Sequence, residues 1–388
     1  MPVRNLLLPA ALLLAAPVQA QTLAPPSWPV GDASLRLSGD ASGALFGPDQ
    51  PGWSGAQVSG VLRAMPQLRR DYDSGLALSL NGTFTAADPL SRGRYDGDVI
   101  ERLSAAARTG LGTLEIGLTD GAGYGLAVTG PKVDPAISLD DPRTSFYRDP
   151  VTHRAVIDMF ALRTEVGASS NFAKFVYTSP ALFGFQLALS FTPTEGKQLP
   201  FLNAGPHLPG RQADIWEGAL RYEDEIGPVS ISAYGALAEG RGEHKLPGQE
   251  GVSDLGTGLN ADYPLDEETT VSMGGAFRQS NAYGFNLNQT WQAGTTRVGH
   301  ISGQLAHNGW SAGLEYGTGT ADAVGALPRL GLDGWEASLG YKISESISVS
   351  GGWQHLAYSR SAGTFFNGAP QLKLQAVYLH LNLKTSEQ

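Results

Sequence analysis

The chain has 388 residues, of which 41% are hydrophobic, 50 are glycine and none is cysteine. This composition favours a turn-rich β protein over a helical one, and without disulfides such a protein depends on its own core or on a sheet closed on itself. The formal net charge of −10 argues against nucleic acid as a partner.

The first twenty residues have the pattern of a secretory signal. A basic start with Arg4 precedes an apolar run from Leu6 to Ala16 and a small-x-small site ending at Ala20. The run is too short to span a bilayer, and no later apolar stretch approaches the about twenty residues that a transmembrane helix needs. We therefore expect residues 1–20 to be a signal peptide and residues 21–388 to form an exported protein, either soluble or a β-barrel.

The decisive pattern in the mature chain is an alternation of apolar and polar residues. In 185–192 the apolar members are Phe185, Leu187, Leu189 and Phe191, and the same alternation runs through 377–384. Such segments form strands with one apolar and one polar face. A soluble sandwich would show the same alternation, but segments of about ten residues with aromatics near their ends are typical of strands that cross a membrane.

The connections between these segments alternate between short and long, as they do in bacterial outer-membrane barrels. Closing the sheet satisfies every backbone group within the hydrocarbon, and the lumen of so large a barrel is too wide for side chains to fill. The sequence therefore predicts an all-β, 16-stranded antiparallel transmembrane barrel with a water-filled lumen. The strands are predicted at 33–46, 58–69, 75–85, 98–108, 112–120, 172–179, 185–192, 213–222, 229–239, 254–263, 270–279, 297–306, 310–318, 334–343, 347–359 and 372–384.

The third long connection, 121–171, is far longer than the others, and loops of this length are usually functional. We expect it to fold into the lumen and narrow the pore, although a surface loop facing outwards is the alternative. Its acids are the predicted acidic side of the constriction: Asp134, Asp140, Asp141, Asp149 and Asp158.

The basic side of the constriction is predicted from the alternation. Leu35 and Leu37 point outwards, so Arg36 points into the lumen, and Arg63 and Arg102 face inwards by the same reasoning. Arginines opposite an acidic loop would create a transverse field that selects ions by sign. The alternative is that each arginine is a solvated lumen residue without a special role.

Several outward positions of the early strands carry unusually small residues, which permit close packing between membrane-embedded surfaces. This side of the barrel is therefore a candidate subunit interface. The residues are Gly39, Ala41, Gly43, Ala64, Ala105 and Ala107.

Two stretches resemble a known family. The stretch from Gly112 to Ala122 resembles the fifth strand and the start of the third loop of Gram-negative trimeric porins, and the stretch from Phe175 to Leu187 resembles their strand–turn–strand after that loop. The resemblance implies a homotrimer in the outer membrane, surrounded by lipid and lipopolysaccharide, through which small hydrophilic solutes and ions diffuse passively. One departure is the chain end, where five residues follow Leu383 although such barrels usually end on an aromatic residue.

Three alternatives stay open. The channel could be selective for one solute, such as a sugar, or the barrel could be a structural or adhesive one with no open pore. His300 and Ser302 share one strand face, so a barrel hydrolase is the enzyme alternative, although the sequence places no orienting acid beside them. No cofactor is predicted, except that the second long loop could bind structural calcium through Asp88, Asp96 and Asp98.

Overall fold

The computed structural model describes residues 23–52, 55–87, 100–140, 142, 146–152, 155–156, 160–170, 172–195, 211–242, 245, 247–283 and 290–385. The predicted signal peptide therefore lies outside the described residues, as do Asp88, Asp96 and Asp98. Among the residues described, no helix is both long and apolar enough to cross a membrane. The strands are β1 (Ser27–Val30), β2 (Ala33–Asp49), β3 (Gln57–Asp71), β4 (Ala77–Ala87), β5 (Ile100–Thr109), β6 (Gly112–Leu118), β7 (Ala173–Thr178), β8 (Phe185–Thr194), β9 (Gln212–Ile226), β10 (Val229–Gly242), β11 (Ser253–Pro264), β12 (Thr269–Tyr283), β13 (Thr290–His307), β14 (Trp310–Ala321), β15 (Leu330–Ser344), β16 (Ile347–Arg360) and β17 (Gln371–Lys384).

Strands β2 to β17 form a closed antiparallel barrel. Each strand pairs with the next along the chain, and β17 returns to pair with β2, so that Leu379 lies opposite Leu45. Closure leaves no unpaired strand edge within the membrane. The predicted 16-stranded antiparallel barrel is confirmed.

The short strand β1 was not predicted. It pairs with the beginning of β2, where Trp28 lies opposite Leu35. This part of β2 has no partner in β17, because β17 ends with Lys384 opposite Asp40. β1 therefore covers an edge that the last strand is too short to reach.

The ladder between β3 and β4 is interrupted at Met65 and Pro66. Ala64 lies opposite Phe84 and Gln67 opposite Asn81, with no pairing between them. Proline has no N–H to donate to a ladder, so it is tolerated where the ladder is broken.

The two faces of the barrel differ as the alternation predicts. Outward side chains such as Met273 and Leu314 are apolar and about two-thirds exposed, at 67% and 66%. Aromatic pairs form two levels on this face, as the two interfaces of a membrane require. Phe185–Tyr222 and Trp310–Tyr341 lie towards the short turns, and Phe191–Trp216 and Tyr316–Trp335 lie towards the long loops.

Candidate pore and the loop that lines it

The long connection between β6 and β7, here called the third loop, is clamped at its base by two buried side chains. Lys174 on β7 donates hydrogen bonds to the carbonyl oxygens of Thr119 at 2.8 Å and Ser169 at 3.2 Å, and also to that of Ser170. Glu217 on β9 accepts hydrogen bonds from the backbone N–H groups of Gly123 at 3.1 Å and Ser169 at 2.9 Å. The ammonium group of Lys174 thus binds backbone carbonyls, and the carboxylate of Glu217 binds backbone amides, at the two ends of the loop.

Asp134 anchors the first half of the third loop to the wall. Its carboxylate lies 2.6 Å from His380 Nδ1 on β17, and it accepts hydrogen bonds from Ser350 on β16 and from the backbone of Ala136. Burial by itself would raise the pKa of Asp134, but His380 and the two hydrogen-bond donors outweigh it and hold the pKa below its ordinary value. Asp134 is therefore an ionised anchor between loop and wall.

Asp140 links the two halves of the third loop. It accepts hydrogen bonds from the backbone N–H of Thr164 at 2.9 Å and from its hydroxyl at 2.6 Å, and Lys132 Nζ lies 3.3 Å from its Oδ2. Burial opposes its ionisation, but the charges of Lys132 and His300 and the bonds from Thr164 lower its pKa. Asp140 is completely buried.

Glu315 on β14 receives the loop next to Asp140. Its carboxylate accepts hydrogen bonds from Ser138 Oγ at 2.9 Å and the backbone N–H of Leu139 at 3.1 Å, and it lies 3.1 Å from His300 Nε2. His300 is thus part of the loop anchor. The described residues contain no group of three metal-ligating side chains.

Inward glycines give the third loop room against the wall. A Cβ on Gly258 would collide with the carbonyl of Val128. A Cβ on Gly313 or Gly340 would lie 2.7 Å or 2.9 Å from the side chain of Val133. The loop backbone approaches the wall this closely because these positions carry no side chain.

Apolar residues attach the later part of the third loop. Phe146 lies between Phe46 on β2 and Tyr378 on β17, with ring centroids 4.7 Å and 5.4 Å away. The inward ends of β15–β17 nearest the long loops are apolar rather than polar, which the sequence analysis missed. The sequence carries a signal for this patch in β17. Its apolar residues Leu372 and Leu374 are even-numbered and so point inwards like Tyr378, whereas the apolar residues nearer the end of the strand are odd-numbered. Further buried residues of this apolar cluster are Ile137, Phe160, Leu162, Leu332, Leu356 and Tyr358.

The predicted acids do not all occupy one surface. Asp134 and Asp140 are buried against the wall or within the loop and do not face the predicted arginines. Asp149 is half-buried and accepts hydrogen bonds from the backbone N–H groups of Val151 and Thr152. Asp141 and Asp158 lie outside the described residues.

The predicted arginines lie on strands β2, β3 and β5. Arg63 on β3 forms an ion pair with Asp40 on β2 at 2.8 Å, and Arg102 on β5 forms one with Asp120 after β6. Arg36 on β2 lies opposite Gln67. Both of these ion pairs join groups of the same wall. Sequence reasoning overlooked Asp40, although it has the inward parity of Arg36.

The lumen therefore has two unlike sides. Loop residues contact inward side chains such as Ser190 on β8, Tyr234 on β10 and Tyr358 on β16. On β2–β5 the inward residues Arg36, Gln67, Asn81 and Arg102 are half-buried. Their polar ends border the space between that wall and the loop.

Comparison with known proteins agrees with this architecture. The family model described as Gram-negative porin matches residues 8–320. No curated protein matches the chain significantly in sequence.

Several solved structures share the fold at low sequence identity. OmpF of Salmonella typhi, solved with daunomycin, is similar with a TM-score of 0.59 at 11% identity, over 92% of this chain and 100% of that one. The trimer form of OmpT from Vibrio cholerae gives 0.56 at 10%, over 91% and 100% of the two chains. The anion-selective porin of Comamonas acidovorans gives 0.54 at 12%, over 91% and 99%.

Proposed function

We propose, from the premise that this chain belongs to the Gram-negative porin family and forms an outer-membrane β-barrel channel, that it lets small hydrophilic solutes and ions diffuse passively through a water-filled pore. The channel follows from the family and the closed barrel. The proposal concerns what passes through it: solutes are sorted by size and weakly by charge.

The observation that carries this proposal is the pairing of charges along the open wall. Arg63 and Arg102 have carboxylate partners on the same wall, and between them lie uncharged amides such as Gln67 and Asn81, joined by a hydrogen bond of 2.9 Å. A wall of paired charges and amides attracts ions of either sign only weakly. It offers water and polar solutes a lining that resembles bulk solvent.

We propose further that the third loop narrows the pore to the space between itself and strands β2–β6. Support comes from the clamp at its base and from its anchors on the opposite wall. On this proposal Asp134 and Asp140 act on permeation by holding the loop in place. Arg36, Arg63 and Arg102 border the narrowed passage itself.

Liposome swelling tests general diffusion against solute selectivity. With sugars of graded size, we expect the swelling rate to fall smoothly with molecular mass. A sharp preference for one sugar over another of equal mass would contradict general diffusion and favour the selective channel. Single-channel recordings of the same protein should show stable conductance steps, which a catalytic or purely structural barrel would not produce.

We propose that the functional form is a homotrimer without catalytic activity. Small outward residues such as Gly39, Ala41 and Ala105 support close subunit packing. The similar OmpT of Vibrio cholerae occurs in a trimer form. Ser302, the nucleophile of the hydrolase alternative, has a buried hydroxyl with no hydrogen-bond partner among the described residues, so His300 does not hydrogen-bond it as the general base of a hydrolase would.

The outward face of the barrel is proposed to contact lipid between its two aromatic levels and lipopolysaccharide beyond the outer one. Outward polar residues support the second contact, since Arg297 and Lys373 lie beyond the outer aromatic level on β13 and β17. Basic groups at that position suit the phosphates of an anionic lipid.

A further inference from the structure

We propose that one part of the periplasmic rim of the barrel inserts into the phospholipid headgroups of the inner leaflet and anchors this side of the barrel there. The short turns of an outer-membrane barrel face the periplasm. The inserted part, here called the apolar rim, consists of Leu111 in the turn between β5 and β6 and of Leu182 and Phe183 in the turn between β7 and β8. The inference depends only on the barrel lying in a membrane.

The turn between β7 and β8 has a backbone that suits other residues better than phenylalanine. Leu182 and Phe185 exchange both backbone hydrogen bonds, at 2.8 Å and 2.9 Å, around the central pair Phe183-Gly184. Both central residues are left-handed, with φ of +53° and +81°, as in the tight hairpin turn that Asn-Gly occupies best. The turn between β13 and β14 has the same form and does carry Asn308-Gly309, with φ of +49° and +79°.

Phe183 gains no packing in return for this backbone. Its side chain is 97% exposed. A bulky residue in the left-handed region is unfavourable, and an aromatic ring left in water forgoes the free energy of burial. Because Phe183 stabilises neither its turn nor the core, a contact outside the chain accounts for it.

Two more apolar side chains accompany Phe183 at this end of the barrel. Leu182 is 61% exposed and Leu111 is 81% exposed. The two turns are joined, because the hydroxyl of Tyr177 on β7 donates a hydrogen bond of 2.7 Å to the carbonyl oxygen of Leu111. Exposed apolar side chains gathered in one place mark a contact with a membrane or with another protein.

The charge distribution around the apolar rim favours lipid. Residues 175–194, which span the β7–β8 hairpin, contain no charged side chain, and residues 109–114 contain none either. The turns of the next two hairpins carry three acids each, at 223–225 and 266–268. Because moving a charge out of water is costly, the acidic turns stay in the periplasm, whereas the uncharged turns enter the membrane surface.

The apolar rim lies within reach of the headgroups. Phe185 pairs with Tyr222 at 4.7 Å in the aromatic level that marks the boundary of the hydrocarbon. Phe183 lies two residues further, which is about 7 Å along a strand and about 5 Å along the membrane normal at a tilt of about 45°. The headgroup layer is about 5–8 Å thick on each side. The hairpin tip thus continues the lipid-facing surface into that layer, which selects phospholipid as its occupant.

The absence of cysteine allows one spin label to report the depth of this turn. The full chain with Leu182→Cys is labelled and placed in nanodiscs of phosphatidylethanolamine and phosphatidylglycerol. Oxygen concentrates in the membrane and a nickel chelate stays in water, so the ratio of their effects on the label measures depth. We expect a ratio several-fold higher than for a label on Glu267→Cys in the acidic turn after β11. Equal ratios at the two positions would overturn the inference.

Substitutions at Phe183 test whether its ring is the anchor. Phe183→Asn gives this turn the residue that the β13–β14 turn carries, so the barrel should fold, which the heat-dependent gel shift verifies. We expect this variant to lower the ratio at the Leu182→Cys label to the value at Glu267→Cys. Phe183→Tyr keeps an interfacial ring and should preserve the high ratio. An unchanged ratio in Phe183→Asn would contradict the anchor.

A protein occupant gives a different result in the same measurement. A label shielded from both oxygen and the nickel chelate in nanodiscs is covered by a second copy of the chain. A label that becomes shielded only when a soluble periplasmic fraction is added is covered by a periplasmic protein. Either result would refute phospholipid as the occupant, whereas high oxygen accessibility with and without the added fraction supports it.

Discussion

At the scale of single residues, the open wall of the lumen is a set of local charge pairs. Arg63 lies 2.8 Å from Asp40, and the two side chains are 22% and 12% exposed. Each group offsets the field of the other, so removing one leaves the other's charge facing the pore. We therefore expect the ion selectivity of the channel to respond to single neutral substitutions at this wall.

We expect Arg63→Gln and Asp40→Asn to shift the reversal potential in a salt gradient in opposite directions. Loss of the arginine leaves Asp40 uncompensated and favours cations, while loss of the aspartate leaves Arg63 and favours anions. Planar-bilayer recordings of each variant measure the shift. Arg297→Gln, on the outward face of β13, is the matched control, and equal shifts in all three variants would refute a specific role for the wall pair.

A second prediction at this scale concerns the glycines beneath the third loop. Gly258→Val introduces a side chain where the carbonyl of Val128 now lies, whereas Gly299→Val points into open space on β13. Overpacking of this kind costs about 1–3 kcal/mol, which we expect to lift the loop from the wall. Single-channel conductance should change only for Gly258→Val, and identical conductance of both variants would mean that the loop does not set the pore size.

At the scale of elements, the third loop behaves as a part of the wall. Its base is clamped by Lys174 and Glu217, and its middle is bound through Asp134 and Asp140. This loop could be identified from the sequence, because the length of a connection can be read directly from the residue numbers. It could not assign the acids to the pore or to the wall, because that depends on which inward groups of distant strands, such as His380, come within hydrogen-bond distance.

The position of this loop should resist moderate acid. The pKa of Asp134 is lowered in the folded protein, so its contribution to docking is complete above about pH 4 and is lost as the pH falls further, through the folded value. We expect constant single-channel conductance from pH 7 to about pH 4 and altered conductance below that range. Asp134→Asn should show the altered conductance already at neutral pH.

The control for this titration is Asp266→Asn in a short turn. The pKa of Asp266 is also lowered, by bonds to Glu268 and Thr269, but this residue is far from the third loop in the chain and is exposed. Its replacement should leave conductance unchanged over the whole range. A change in the wild-type conductance between pH 7 and pH 5 would contradict the role assigned to Asp134.

Strand ends show another limit of sequence reasoning. The barrel strand predicted to begin at residue 297 begins at Thr290, and the one predicted to end at residue 222 continues to Ile226. Inside the hydrocarbon one face must be apolar, and the alternation reveals the strand. Beyond the hydrocarbon the hydrogen-bonded ladder continues in water, where neither face has to be apolar. The apolar–polar alternation therefore ends before the strand does.

At the scale of the whole molecule, the barrel could be predicted from the sequence because one physical demand, pairing every backbone group in lipid, governs the entire chain. Two features of the structure, β1 and an apolar patch on the inner face, do not follow from this requirement. β1 exists because β17 stops opposite Asp40. The apolar inner patch at Leu372 and Leu374 belongs to the buried cluster that also contains Phe146 and Phe160 of the third loop.

Every barrel strand is a central strand, so we expect a proline in the closing strand to prevent folding. Leu381 pairs with Gly43 on β2 and with Val349 on β16. Leu381→Pro removes a backbone donor and leaves its acceptor unsatisfied, at a cost of several kcal/mol in lipid. Refolding into vesicles, followed by the heat-dependent gel shift, should fail for Leu381→Pro and succeed for Leu381→Ala, and efficient folding of the proline variant would show that this pairing is dispensable.

The pairing of β17 with β2 also affects the rate and order of folding. The two strands that complete the circle lie at opposite ends of the sequence, so that Thr385 binds Gly39 across 346 residues. Contacts of such long range form slowly, because the chain between them must first be ordered. Strand β2 is synthesised early, and its edge towards β17 stays unpaired until the last strand has formed. We therefore expect a chaperone to keep this edge from pairing with other chains in the meantime.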